Sequence, residues 1–313
     1  MTDELDEHAR WLQDRRTGVG ASDVAAIIGV SPWSSPMSVW ADKLGLTPLE
    51  TVPNTAMRLG KDLEPLIAKW FEEQTGLRVI NRQTMDRRGF ALATLDGYVW
   101  DADNNVLGVF ESKYTSSRPY DELPDHIFVQ VQWQLYVTEL DAAYVAVLFL
   151  SGRGGPDFRV FSVHRDDARI GELVERCETF WQHVVDKQPP IADSSPATTV
   201  ALQTAAWDAA QLDQPETVDV SSHATVLAEL DDYKRRRRAL DRLVTECENT
   251  LRALLRNAEY GTVAGEVVLT NKLQQRTFVD FKAIRRDHGD KYDTHSTYRV
   301  LRIVDTQQKA RQQ

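Results

Sequence analysis

A-T-L-D-G-Y-V-W-D-A-D-N-N-V-L-G-V-F-E-S-K, residues 93–113, reads as a β-hairpin. Leu95 to Trp100 is one strand and Val106 to Lys113 the next. The D-A-D-N-N stretch at 101–105 between them is turn chemistry, because Asp and Asn tolerate the backbone angles of a reversal. Side chains alternate faces along a strand. Glu111 and Lys113 therefore point one way, and Phe110 and Ser112 the other. The reversal brings Asp96 back within reach of that face. Two carboxylates and a lysine are expensive to bury together unless a cation or a phosphate lies among them. The stretch thus predicts a divalent-metal site that handles phosphate.

The chain has 313 residues, enough for two domains or for one with a long appendage. Its 42% hydrophobic content is ordinary for a globular protein, so a sizeable core is expected. No apolar run approaches a membrane span, and the acidic start M-T-D-E-L is unlike a secretory signal, so no membrane partner is expected. Cys177 and Cys247 stand far apart in separate helical patterns, which argues against a disulfide framework or a zinc site and for a reducing cytoplasm. The net charge of −10 argues against coating of DNA by the whole surface. A nucleic-acid enzyme would have to gather its bases on one face.

Residues 4–15 have a helical stripe of Leu5, Ala9 and Leu12. The run R-R-T-G-V-G-A-S-D at 15–23 then leads into apolar Val24–Ile28. Glycines before a Ser-Asp that opens a helix make a cap, and free N–H groups there attract anions. It reads as a capped helix after a tight turn, or, with Arg15 and Arg16 just upstream, as a phosphate pocket. Ser35-Pro36 starts a helix that stops at Gly45. Residues 56–75 form a strong helix with Leu59, Leu63, Leu66, Ile67, Trp70 and Phe71 on its apolar face, Glu64 at the edge of that face, and Pro65 as a kink. Leu77–Gln83 and Gly89–Ala93 read as strands. Asp125–Glu139 reads as a helix in which Gln130 and Gln134 share a face and Gln132 looks elsewhere. Either it is a plain amphipathic helix, or it lays one polar edge against the hairpin's carboxylates. Strands at Ala142–Leu150 and Phe158–Val163 precede a long helix over 165–186.

Domain boundaries are expected at 187 and 222. Residues 1–187 form the core, and residues 188–222, rich in Ala, Thr, Ser, Asp and Pro, form a linker with a short ordered piece near Trp207. Residues 223–258 form one long helix with a heptad-like stripe through Val226, Leu230, Tyr233, Arg237, Leu240, Val244, Cys247, Leu251 and Leu254. The five bases at 234–238 are either a solvated face or a DNA contact. A hairpin over 261–278, a helix at Phe281–Asp287 and a strand at Tyr298–Val304 complete an appendage with more bases than acids.

An Asp, a gap, and Glu-x-Lys on a strand is similar to the pattern of the PD-(D/E)XK nuclease superfamily. W-L-Q-D-R-R-T-G-V-G-A-S-D, R-L-G-K-D-L-E-P, L-D-G-Y, E-S-K and Q-V-Q-W-Q-L-Y-V occur in the order seen in the YqaJ-type viral recombinases, relatives of lambda exonuclease. The resemblance covers about residues 8–186. It implies an α/β restriction-endonuclease-like core, a mixed sheet flanked by helices, here followed by the long helix and a small α+β unit. It also implies a Mg²⁺-dependent deoxyribonuclease, with Mn²⁺ as a possible substitute, acting 5′→3′ on linear double-stranded DNA for phage-type recombination.

By the same resemblance Asp96, Glu111, the Ser112 backbone carbonyl and Glu64 hold metal. Lys113 steadies the phosphate and its attacking water, and Gln130 matches the glutamine of the downstream helix. Arg15 and Ser22 match residues that hold a terminal 5′-phosphate; a count from Gly18 selects Arg16 instead. A single-strand annealing protein and further copies of the chain are the implied partners, in the cytoplasm of a bacterial host. An endonuclease or single-strand nuclease of the same superfamily, or an inactive DNA-binding module, is the alternative. An iron–sulfur cluster is not expected, because two cysteines cannot supply its four thiolates.

Overall fold

The structure, a computed structural model, describes residues 10–47, 55–80, 85–150, 155–205, 217–275 and 281–292. The chain divides into two compact units, Met1–Ala209 and Ala210–Gln313. In the first, residues 10–15 are helical and lead to β1 (Val19–Gly20), α1 (Ala21–Ile27), α2 (Pro36–Lys43) and α3 (Thr55–Thr75). Then come β2 (Arg78–Ile80), β3 (Met85–Arg88), β4 (Ala91–Thr94), β5 (Gly97–Trp100) and β6 (Val106–Thr115). They are followed by α4 (Asp125–Thr138), β7 (Ala142–Phe149), β8 (Asp157–His164), α5 (Asp167–Val185) and α6 (Pro196–Thr204).

A five-stranded sheet runs in the order β2-β5-β6-β7-β8. Only β6 and β7 are parallel, with Glu111 opposite Val145 and Lys113 opposite Val147; the other neighbours are antiparallel. The fold is therefore α/β with a mixed sheet flanked by helices. A parallel pair needs a crossover, and α4 provides it, passing over one face of the sheet. A smaller sheet, β1-β4-β3, lies beside it.

The reversal predicted between β5 and β6 is present. Asp101 accepts from the Asn105 backbone N–H at 2.8 Å, and Asn104 takes a left-handed φ of 66°. Alternation along β6 then separates two cores. Val109 joins Val145, Val147 and the apolar residues of α4, α1 and α5 on one face. Phe110 joins Val99, Ala146, Leu148 and Ile67 and Phe71 of α3 on the other. The buried face of α3 is narrower than its apolar residues suggest. Leu59 and Leu66 are exposed, and the helix runs through Pro65.

Gly108 lies where β6 meets β7. A Cβ there would stand 2.3 Å from the Ala142 carbonyl oxygen, which is backbone and has no room to give. Gly108→Ala is expected to destabilise the fold by about 1–3 kcal/mol. Thermal melting followed by circular dichroism reads this, and an unchanged midpoint would show that the two strands separate freely there.

The strand expected at Gly89–Ala93 is present as β4, one arm of a hairpin with β3 preceding it and Gly89 turning at φ 62°. Two expectations are corrected. The stretch read as a linker begins with α6, which is packed on the core. Thr198 and Ala201 are buried, and the Thr198 hydroxyl donates to Ser35 Oγ at 2.8 Å. The first unit therefore extends well past 187, because Ser195-Pro196 caps a helix inside an apparently loop-like composition. Trp207, Arg276–Phe278 and Tyr298–Val304 lie outside the described residues.

In the second unit α7 (Ala224–Leu255) is a single helix of 32 residues. It is followed by the hairpin β9 (Tyr260–Val263) and β10 (Glu266–Thr270) and by α8 (Phe281–His288). Lys234 to Arg238 are exposed or partly so, and Arg235 and Arg236 pair with Asp231 and Asp232 one turn back.

Candidate active site

The hairpin gathers Asp96, Glu111 and Lys113, and it also brings Ser112, expected on the opposite face, to Asp96. Asp96 accepts from both the Ser112 N–H and the Ser112 hydroxyl, each at 2.7 Å. Glu111, only 3% exposed, forms an ion pair with Lys113 Nζ at 2.5 Å. Its buried carboxylate is also bridged from α4. Gln130 Nε2 donates to Oε1 at 2.7 Å, and Gln134 Nε2 donates to Oε2 at 2.6 Å. Lys113 in turn donates to Gln130 Oε1 at 3.2 Å. Gln132 serves the fold, since it donates to the His164 carbonyl and accepts from the Asp166 N–H. Gln134 was the residue missed, although its spacing of four from Gln130 was the signal for it.

These groups carry too much negative charge for their surroundings. Burial, then the nearby Glu111, pushes the Asp96 carboxyl up to about 7, against the opposing pull of the Ser112 hydrogen bonds and Lys113. Glu64 reaches the same field from α3, although its side chain is exposed. Partial desolvation and Glu111 raise its carboxyl above the ordinary range, while Lys61 and Lys113 pull it down. For Lys113, burial works against the charged form, but Glu111, Asp96 and Glu64 outweigh it and hold the ammonium above the usual lysine value. Burial raises the Tyr120 hydroxyl and lowers the His126 ring, and the Lys113 charge pulls both down.

Three carboxylates sharing one lysine are hard oxygen donors in electrostatic deficit, and this donor set fits a divalent cation of the Mg²⁺ type. Among the described residues no three His, Cys, Asp or Glu side chains by themselves form a closed ligand cluster.

The structure separates the two arginines. Arg15 lies over the Trp11 ring and donates to Ser22 Oγ at 3.2 Å, and Ser22 is exposed in the first turn of α1. Arg16 is brought elsewhere. It pairs with Asp42 Oδ1 at 2.9 Å and donates to the Thr47 carbonyl at 2.9 Å, which pins α2 and its following turn. The structure thus brings Arg15, and not Arg16, to Ser22. Beneath Ser22, Asp23 accepts from the Gly20 N–H and pairs with the buried Lys43 at 2.6 Å. That pair fixes the turn carrying Ser22.

Comparison with known proteins bears on this arrangement. Residues 10–141 match the YqaJ-like viral recombinase domain. YqaJ of Bacillus subtilis (strain 168), itself an uncharacterized protein, is 28% identical over 289 residues, covering 86% of this chain and 86% of the relative. The uncharacterized protein R354 of Acanthamoeba polyphaga mimivirus is 26% identical over 147 residues, 42% of this chain and 27% of that one. Among solved structures, the alkaline exonuclease LHK-Exo of Laribacter hongkongensis is 20% identical, with 57% of this chain and 93% of that one covered at a TM-score of 0.45. A phage-related exonuclease from Haemophilus somnus 129PT is 16% identical, with 54% and 96% covered at a TM-score of 0.39. The matched span holds every residue of the hairpin site and of the Arg15–Ser22 pair, and over residues 10–141 this chain is similar to the YqaJ-like viral recombinase domain.

Proposed function

We propose that the chain is a Mg²⁺-dependent exonuclease that digests linear double-stranded DNA 5′→3′ and leaves 3′ single-stranded tails for recombination. The observation that carries this reading is the convergence of Asp96, Glu111 and Lys113 on one hairpin, with Glu111 bridged by Gln130 and Gln134. Asp96, Glu111, the Ser112 carbonyl and Glu64 would hold Mg²⁺, or Mn²⁺ in its place, and such an ion supplies positive charge to a phosphate and lowers the pKa of water. Lys113 stays an ammonium at neutral pH, so it acts as a charged donor to a phosphoryl oxygen and to the attacking water, not as a base. Gln130 touches both Lys113 and Glu111 and fixes the distance between them. Gln134 holds the far oxygen of Glu111, so the carboxylate cannot rotate away.

Arg15 and Ser22 are the proposed holders of a terminal 5′-phosphate, which would turn cutting at any site into stepwise digestion from an end. Their pairing in the structure supports this. The proposed partners are linear duplex DNA, a single-strand annealing protein that takes the 3′ tail, and further copies of this chain. The proposed setting is a bacterial cytoplasm; no described helix is long and apolar enough to cross a membrane.

Linear duplex with one 5′-phosphorylated and one 5′-hydroxyl end, offered beside a closed circle with Mg²⁺ or with EDTA, tests the reading. Loss of the linear form alone, from the phosphorylated end and only with Mg²⁺, is expected. Cutting of the circle would replace it with an endonuclease, and inertness of the folded protein toward both would replace it with a binding module. Arg15→Ala should erase the preference for the phosphorylated end, a loss of about 10- to 100-fold for one charge-assisted contact. Arg16→Ala should keep that preference and lower the melting temperature, because it undoes the bracket on Asp42 and Thr47.

A further inference from the structure

Helix α7 has no covered face. None of its 32 residues is buried, and Val226, Tyr233, Leu240, Val244 and Leu254 are each at least 55% exposed. Their spacing is nevertheless a strict alternation of four and three. Leu230, Arg237, Val244 and Leu251 fall at one seam position, and Val226, Tyr233, Leu240, Cys247 and Leu254 at the other. Helices owe most of their stability to packing of such a stripe, not to intrinsic propensity.

We propose that α7 pairs with α7 of a second copy, parallel and in register, as a two-stranded coiled coil. The flanking charges select this occupant and this orientation. In a parallel pair, the residue before each seam position of the first kind meets the partner residue five places on. Glu229 then faces the partner's Lys234, and Arg236 faces the partner's Asp241, so two chains form four attractive pairs. Glu229, Lys234 and Asp241 make no ion pair within their own chain among the described residues, whereas Arg235, Arg236 and Arg252 do. Fully overlapped antiparallel helices would keep Lys234 opposite Glu248 but set Asp241 against itself. The parallel seam does place Arg237 opposite its own copy. A single basic residue at that position costs stability and in return specifies register and two strands, and its long stem lets the charge reach water.

The parallel pairing also stacks Cys247 on the partner's Cys247. Cys247 is exposed and Cys177 is buried, so one thiol per chain is available. Sedimentation of the full chain is expected to give an even number of chains. Diamide, which takes one hydrogen from each of two thiols, is expected to link the copies through Cys247. Cys247→Ser should abolish the link and keep the assembly. Glu246→Cys added to Cys247→Ser, one residue off the seam, should not restore the link. Leu240→Asp should dissociate the pair without unfolding the chain, since Leu240 is exposed. Lys234→Glu should weaken pairing about fivefold to tenfold, and adding Glu229→Lys should recover it. A monomer, a trimer, or an assembly that survives Leu240→Asp would overturn the proposal. An even-numbered assembly that diamide cannot link would overturn its parallel register.

Discussion

Replacing Asp96 by Asn is expected to raise the melting temperature of the EDTA-treated protein at pH 8 and to reduce cleavage by about a thousandfold or more. The two effects share one cause. The Asp96 carboxyl is raised to about 7 because burial and Glu111 both disfavour its charge. Folded protein therefore keeps that proton up to about pH 7, while the unfolded chain loses it near the ordinary carboxyl value of about 4. Between those values the folded state holds more protons than the unfolded one, so stability falls as pH rises through the window. At pH 8 the wild-type chain carries the full penalty and the Asn variant carries none. At pH 5 Asp96 is protonated in the fold, and the difference between the two proteins should shrink. Asn still offers an oxygen to the Ser112 N–H and hydroxyl, so the hairpin contact survives. Mg²⁺ should stabilise the wild type at pH 8 and leave the variant nearly unmoved. Melting curves at pH 5 and pH 8, with EDTA and with Mg²⁺, read all of this without any nuclease assay. A variant that melts below wild type at pH 8 in EDTA would show that Asp96 serves the fold instead of holding an ion.

How much of this was legible beforehand follows from how local each signal is. The hairpin could be read because its turn, alternation and E-S-K triplet lie within 21 consecutive residues. The pair Gln130 and Gln134 was visible as a spacing. Which of the two would touch Glu111 depended on how far α4 is rotated against β6, and the answer, both, comes from tertiary packing. Arg15 and Arg16 are neighbours, so no count along the chain separates them. The deciding partner of Arg16 is Asp42, 26 residues away. The packed helix α6 was hidden for the same reason. Its buried Thr198 is matched to Ser35, 163 residues upstream, and a run of Ala and Thr looks like loop until such a partner is known. The Leu59 and Leu66 error ran the other way: periodicity marks apolar residues but not the width of sheet available to cover them.

Removing the charge of Lys113 should have the opposite sign to removing that of Asp96. Lys113→Ala leaves Glu111, at 3% exposure, with two glutamine donors but no cation, and leaves Asp96 and Glu64 in the same field. Breaking a buried pair from one side typically costs about 3–5 kcal/mol. The Lys113 side chain is 30% exposed, so water offsets part of that, and the loss should fall toward the lower end. The EDTA-treated variant should accordingly melt well below wild type, and Mg²⁺ should recover more of the loss than it adds to wild type, because the ion restores the missing positive charge. Cleavage should not return with the fold. The ammonium is proposed to meet the phosphoryl oxygen itself, and loss of one such donor costs about 100- to 1,000-fold in turnover. Lys113→Arg should keep the stability and still cleave poorly, since a planar fork cannot place one donor where a compact ammonium stands between Glu111 and Gln130. Combined with Asp96→Asn, Lys113→Ala should lose less stability than it does alone, because one of the charges it strands is gone. If Lys113→Ala cleaves at the wild-type rate with Mg²⁺ bound, the lysine is a structural counter-ion and the proposed chemistry of the hairpin is wrong.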